Sequence, residues 1–477
     1  MTRVPIGGWA NSARARRFAG RVVGDTNPNV SWENDQVTAR FETTRRILAL
    51  AVPALGALVA QPLFVMTDTA MVGHLGESVL AGLSIGATII TTITGLMVFL
   101  AYTTTPTVAR RLGAGDRAGA IRAGIDGMWL GLGSGIILLL IGLIVAGPAV
   151  SAFTDDPFVY EAAMSYLTVS LWGLPGMLLV IAGTGLLRGL QDTRTPLVVA
   201  VGGAVMNVGL NALLIYGAQL GIAGSALGTI ISETLMAVVY IIVAVRAANE
   251  HDVSLSMGIG KPREALRDSA LMILRTVTLR IALLLLVWAG AQLGVSELAT
   301  LQVTYTVYNV LVFMLDALAI AAQAMIGHDL GAGDRSQVKR LTWTLVWWGI
   351  GLGVILMLIV GALSPFLGRL FVNEFAVLDM LPSAFITMAV FLPVGGLVFV
   401  LDGVLIGAGD VKYLAIIGII PLIVFVGLVF LVLGTGADGA AGVNLLWGAF
   451  GGYLIARGVT LVARAVTDRW IVLGASR

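Results

Sequence analysis

Long runs free of charged residues alternate with short polar clusters along this chain. The stretch from Thr195 to Ser232 carries no charged side chain at all. An α-helix needs about 20 apolar residues to cross a hydrocarbon core about 30 Å thick, and the runs reach that length repeatedly. Cutting at charge clusters and at Gly and Pro breakers gives twelve spans: 46–72, 79–105, 123–147, 161–186, 196–217, 221–245, 268–292, 298–326, 341–364, 380–405, 412–434 and 440–463. The uncharged stretch is divided at Gly217 to Gly221. The pattern predicts an all-α, polytopic membrane protein.

Composition supports this. Of 477 residues, 58% are hydrophobic and 12% charged, against about 25% charged in soluble domains. Sixty glycines suit helices that pack closely in a bilayer. Lys and Arg give an independent check on the span count, because basic residues mark cytosolic loops. With the Arg-rich amino terminus inside, the inner loops hold Arg110, Arg111, Arg117, Arg122, Arg188, Arg194, Arg246, Lys261, Arg263, Arg267, Arg335, Lys339, Arg340 and Lys412, and the outer loops hold Arg369 alone. Both termini are therefore expected to be cytosolic, in a multi-pass protein of the cell membrane. Trp129 and Trp343 fall near inner span ends, as interfacial aromatics do. The net charge of +2, without basic blocks interleaved with aromatics, speaks against nucleic acid as a partner. The absence of cysteine excludes disulfides and thiol chemistry. Residues 1–43 lack the apolar core of a signal peptide and read as a disordered cytosolic tail, or as the product of a start codon assigned too far upstream.

The chain repeats itself. Leu112 to Arg117, LGAGDR, recurs at Leu330 to Arg335, a shift of 218 positions. The same shift superposes Leu174-Pro175 on Leu392-Pro393, Gly185 and Asp192 on Gly403 and Asp410, and Leu75-Gly76 on Leu293-Gly294. Two six-helix lobes follow, at 44–247 and 262–465, joined by a cytosolic linker at 248–261 and followed by a tail at 466–477. Six is even, so both lobes enter the membrane the same way up. Parallel repeats of this kind are a transporter architecture with the site near the midplane.

Several segments resemble the MATE (multidrug and toxic compound extrusion) family. Gln61-Pro62 followed by Asp68-Thr69-Ala70-Met71-Val72-Gly73-His74-Leu75-Gly76 resembles its first helix, and Val108-Ala109-Arg110-Arg111 with the LGAGDR segment its second loop. Phe399 to Asp410 is similar to the DinF-type branch in particular. The resemblance covers about 44–465. It implies twelve helices in two lobes and export of small organic, often cationic, compounds against an inward flow of H⁺ or Na⁺.

An ionisable group at membrane depth is a functional candidate by default. Asp68 lies 22 residues beyond Arg46, or about 33 Å along a helix, in the outer half of the first span. Depth alone leaves a solvated helix-end acid equally open. The resemblance favours a role, since DinF-type members carry a first-helix Asp as the coupling-ion site. Gln61, Val65 and Asp68 share a helix face, as do Asn207 and Asn211. Some family members have Asp at the Asn211 position, so this departure leaves one carboxylate and tells against Na⁺. Thr229 matches another position of the same site. Packing between helices is the competing reading for both Asn residues. Glu233, Asp316, Asp402 and Arg280 are further intramembrane charges. Arg280 is expected to pair with an acid, Asp316 first, and structural ion pairing is the favoured reading for Arg280, Asp316 and Asp402. Position 286, which Asp68 would map to, is Leu, so the lobes are functionally unequal.

His74, His251 and His328 are too scattered to ligate a metal. No phosphate loop, zinc-protease or nucleophile-elbow motif is present, so the chain is not expected to be an enzyme. No cofactor beyond a coupling H⁺ or Na⁺ is expected, and the protein is expected to act as a monomer on small organic cations within membrane lipid. A lipid-linked precursor flippase is the nearest rival, disfavoured by twelve spans and a single deeply buried Arg. A passive channel is the rival from another class.

Overall fold

The computed structural model describes residues 28–258 and 262–475, the side chains of 28–40, 61, 64 and 262–266 excepted. Backbone contacts divide the chain into Met1–Leu48, which holds the start of the first helix, and Ala49–Arg477, which holds the rest of that helix and all the others. The described residues contain helices and no strands. Ten helices are long and apolar enough to span a membrane, and two bent pairs complete twelve. We label these α1 (Pro28–Gly73), α2 (Glu77–Gly113), α3 (Arg117–Ser151), α4 (Pro157–Leu171 with Leu174–Gly189), α5 (Arg194–Gly217), α6 (Gly221–Glu250), α7 (Pro262–Leu293), α8 (Val295–Ala332), α9 (Arg335–Leu370), α10 (Phe375–Val390 with Leu392–Gly407), α11 (Val411–Gly434) and α12 (Gly439–Val466).

Every expected span is present. The first helix begins earlier than expected: residues 28–43, read as part of a disordered tail, are helical. Pro28 supplies a favourable first helical residue, and neither Gly nor Pro interrupts Val30 to Arg45. The rest of that tail, and 259–261 of the expected linker, lie outside the described residues.

The duplication is physical. In each half the third helix packs on the second segment of a bent fourth helix, α3 on Leu174–Gly189 and α9 on Leu392–Gly407. The bends measure 52° and 43° and sit just before Pro175 and Pro393. Glycine permits the approach: a Cβ on Gly135 would stand 2.5 Å from Pro175 Cα, and one on Gly353 2.6 Å from Pro393 Cα. The LGAGDR segments are helix boundaries. Gly115 (φ 81°) and Gly333 (φ 84°) turn the chain in a region closed to most side chains. Asp116 and Asp334 then cap α3 and α9 by accepting from Gly119 N and Gln337 N.

The two LGAGDR turns meet. A methyl group on Gly113 would collide with the His328 carbonyl, and one on Gly331 with the Arg110 carbonyl. These contacts exchange under the 218-position shift, so α2 and α8 touch across a pseudo-two-fold axis at this end of the bundle. Arg110, read from sequence as a loop charge, is 3% exposed here. Its guanidinium donates to the carbonyls of Val472 (2.9 Å), Gly474 (3.3 Å) and Ala408 (3.0 Å). Gly474 N donates to the Leu330 carbonyl, and Trp470 is buried, so the segment after α12 is part of this closure.

Candidate functional site

Asp68 sits in the wall between α1, α5 and α6. It is 6% exposed, facing neither open solvent nor lipid. One carboxylate oxygen, Oδ1, accepts from Asn211 Nδ2 (2.7 Å) and Ser225 Oγ (2.6 Å). Asn211 Nδ2 also donates to Asn207 Oδ1 (3.2 Å), and Asn207 Nδ2 to Thr229 Oγ1 (3.3 Å). Four of the five residues expected here, Asp68, Asn207, Asn211 and Thr229, thus form one chain of hydrogen bonds. The Gln61 side chain lies outside the described residues. Asn211 spends both amide hydrogens on this chain, and its buried Oδ1 has no partner among the described residues. An unmatched acceptor beside a carboxylate is a place that favours a proton or small cation.

Local sequence explains the assembly. Asn207 and Asn211 are one turn apart on α5, which changes from α- to π-helical geometry immediately after Asn211, at Ala212–Gly217. Such wide turns recur at functional sites. Tyr216, in that turn, donates to the Met71 carbonyl (2.6 Å), fixing α1 one turn beyond Asp68. On α6, Gly228 lies against Asn211 Oδ1, closer than any side chain could. Ser225 is a site residue that the sequence reading missed. Ser225, Thr229 and Ser232 form a buried polar stripe at i, i+4 and i+7, a pattern that could have revealed it.

Beside this network lies a cavity of about 570 Å³. Val65, one turn before Asp68, lines it, together with Arg188, Glu233, Tyr240 and Asp316. Glu233 and Asp316, taken from sequence as separate candidates, therefore share a chamber. Arg188, read as a loop charge, is a half-buried member of its wall and acts on Asp316 as a nearby positive charge. Counting Arg188 against Glu233 and Asp316, this wall carries net negative charge.

Two expectations about charge fail. Arg280 forms no ion pair with Asp316 among the described residues; its guanidinium reaches toward Gly95 instead. The paired acid is Asp402, held by Arg275 Nη2 (2.7 Å) from α7 and Arg457 Nη2 (2.7 Å) from α12. Arg275 lies five residues before Arg280, so it presents a different face, and from there its side chain reaches Asp402 on α10. Nor is there one deeply buried Arg: Arg275 and Arg457 are 6% and 3% exposed. That argument against a flippase does not hold, and kinship has to decide.

The family model MatE matches residues 53–213 and 272–433, one stretch in each half. The chain is 30% identical over 414 residues to Protein DETOXIFICATION 44, chloroplastic, of Arabidopsis thaliana, covering 83% of this chain and 78% of that protein. It is 27% identical to DNA damage-inducible protein F of Escherichia coli strain K12, covering 75% and 79%. The fold matches a multidrug resistance MATE family transporter in an outward-facing conformation (TM-score 0.79, 20% identity, 90% and 95% covered). A MOP superfamily transporter from Pyrococcus furiosus matches equally broadly (TM-score 0.78, 20% identity, 90% and 95% covered). With both halves matched by the family model and the repeated lobes in place, this chain belongs to the MatE family of multi-pass membrane transporters, the MATE proteins.

Proposed function

We propose that this protein exports small organic cations by proton-coupled antiport with alternating access, and that Asp68 is the coupling group. The observation that carries this is the buried Asp68 carboxylate, enclosed by Asn211 and Ser225 one turn from the wall of the acidic cavity. A carboxylate in such a place is costly while charged and has no ionic partner among the described residues, so protonation or a cation relieves it. Glu233 and Asp316 meet the cargo's charge in the chamber. Protonation of Asp68 reorganises the α1–α5–α6 contact and lowers affinity for the cation on the outer side; inward release of the proton resets it. Two other carboxylates, Glu233 and Asp316, flank the chamber, but Asp68 alone has the neutral hydrogen-bonding shell. A single carboxylate in that shell supports H⁺ over Na⁺, which prefers several oxygen ligands.

The closed LGAGDR end supports alternating access. With the termini cytosolic, it is the inner gate, and its opening requires separation of α2 from α8. Both lobes reside in one chain, so a monomer in the cell membrane contains the whole route.

The test is efflux from proteoliposomes of a cationic dye under an imposed pH gradient, with a Na⁺ gradient as the parallel arm. Wild-type protein should respond to the pH gradient, and Asp68→Asn, inserted at equal density, should lose the response. Retained proton-driven efflux in Asp68→Asn removes Asp68 from the coupling role.

A further inference from the structure

A second cavity, of about 280 Å³, opens among α2, α7, α8, α10 and α12 and is of opposite polarity. Arg275, Arg280 and Arg457 line it against Asp316 and Asp402, a formal excess of one positive charge. Two guanidinium groups converge on the one Asp402 carboxylate. Asp316 also lies near Arg275, so the two buried arginines face two acids and the formal excess is the exposed Arg280. Arg275 Nε and Arg457 Nη1 are also buried without a hydrogen-bond acceptor among the described residues. Buried donors are seldom left so, and these belong to side chains more than nine-tenths buried on the cavity wall. The remaining wall is apolar and aromatic, including Leu279, Tyr308, Val398 and Phe450. Arg275 lies over the Tyr102 ring at 5.6 Å, so an α2 side chain also frames the site.

We propose that this cavity binds a small organic carboxylate: an anionic head at the Arg275–Arg457 pair and an apolar, ring-sized body against Tyr308 and Phe450. Planar guanidinium forks match a carboxylate in charge and geometry. Arg280, which is exposed and reaches toward Gly95, stands at the rim and adds attraction for the entering anion. The volume suits a one- or two-ring acid and is too small for a lipid chain. Asp316 and Tyr102 line both cavities, so an anion here and a cation in the acidic chamber face each other across shared side chains.

The test is equilibrium binding of 2-naphthoate to the full chain in phosphatidylcholine nanodiscs, without any gradient, so it stands apart from the antiport proposal. Trp447 is the reporter; it packs on Tyr308 and Phe450 at 5.6 and 5.8 Å. 2-Naphthoate should bind at least about tenfold more tightly than uncharged 2-naphthamide, and Arg457→Gln should remove that preference. Arg457→Gln removes one of the two arginines that hold Asp402 and can fail to fold, so Arg280→Glu, on an exposed side chain, is the second variant; it should weaken naphthoate about tenfold and leave naphthamide unchanged. Equal binding of acid and amide, no binding to wild-type protein, or unaltered binding in Arg280→Glu overturns the proposal. So does loss of naphthoate binding when phosphatidylglycerol is added to the nanodisc, which would make the site one for a lipid headgroup.

Discussion

At the scale of single residues, the proposed coupling site depends on how one amide is used. Asn211 gives both hydrogens away, to Asp68 and Asn207, and is held from behind by the missing side chain of Gly228. Gly228→Ala should therefore push the Asn211 amide off Asp68 and cut proton-driven efflux by about tenfold or more, roughly the loss of one hydrogen bond to a charged group. Gly202, on α5 with open space around it, is the matched control; Gly202→Ala should keep wild-type efflux. Equal efflux from both variants at equal membrane level would show that the amide's position is immaterial. Sequence spacing was enough to place Asn207 and Asn211 on one face, because the helical period fixes it. It could not say that Ser225 completes the shell, since that needs the rotation of α6 against α1. Nor could it choose Arg280's partner. Arg275 and Arg280 lie on the same helix, and only the packing of α7 against α8, α11 and α12 decides which one reaches Asp402.

At the scale of elements, the LGAGDR segments are legible in full. Gly in a left-handed turn followed by an Asp cap is a local arrangement, so the residues alone specify it. Asp334 shows the energetic consequence: the Gln337 amide and the Ser336 hydroxyl hold its carboxyl below the usual carboxylate range. A lowered native value means the stabilisation is full above the unfolded-state pKa of about 3.9 and is lost as pH falls through the native value. Asp334→Ala should accordingly lower the Tm in detergent at neutral pH, and the gap to wild type should close as pH drops below about 4. A gap that persists unchanged at acid pH would show that the cap does not act through its charge. The helical stretch 28–43 illustrates the opposite error. Polar composition suggested disorder, but a helix already anchored at its apolar end extends cheaply where no breaker intervenes.

At the scale of the whole molecule, closure at the LGAGDR end is the property that the proposed alternating access must reverse. A Cβ on Gly327 would stand 3.0 Å from Ala109 Cβ, shorter than the roughly 3.5–4.5 Å a disulfide spans, so a small parting of the two helices admits the bond. The chain has no native cysteine, so the double variant Ala109→Cys/Gly327→Cys reports on this contact without background. Oxidation should link the pair and arrest efflux, and reductant should restore it. Full efflux by the oxidised, linked protein would refute the need for α2 and α8 to part. The two cavities belong to this scale as well. One is acidic and one basic, although the chain is nearly neutral overall, because the bundle sorts Glu233 and Arg457 into different chambers.

The residues in order, without any fold, determine the twelve spans, the two repeated lobes, the glycine turns with their Asp caps and the presence of an acid on the first helix. All of these follow from local forces: apolar length against bilayer thickness, backbone sterics and helical period. Packing alone decides that Asp68 is ringed by neutral donors, that Arg188 and Arg110 are inside rather than in loops, and that two arginines share Asp402. Those outcomes depend on which faces of distant helices meet, and the burial of a charge is a property of its surroundings, which one-dimensional order does not contain.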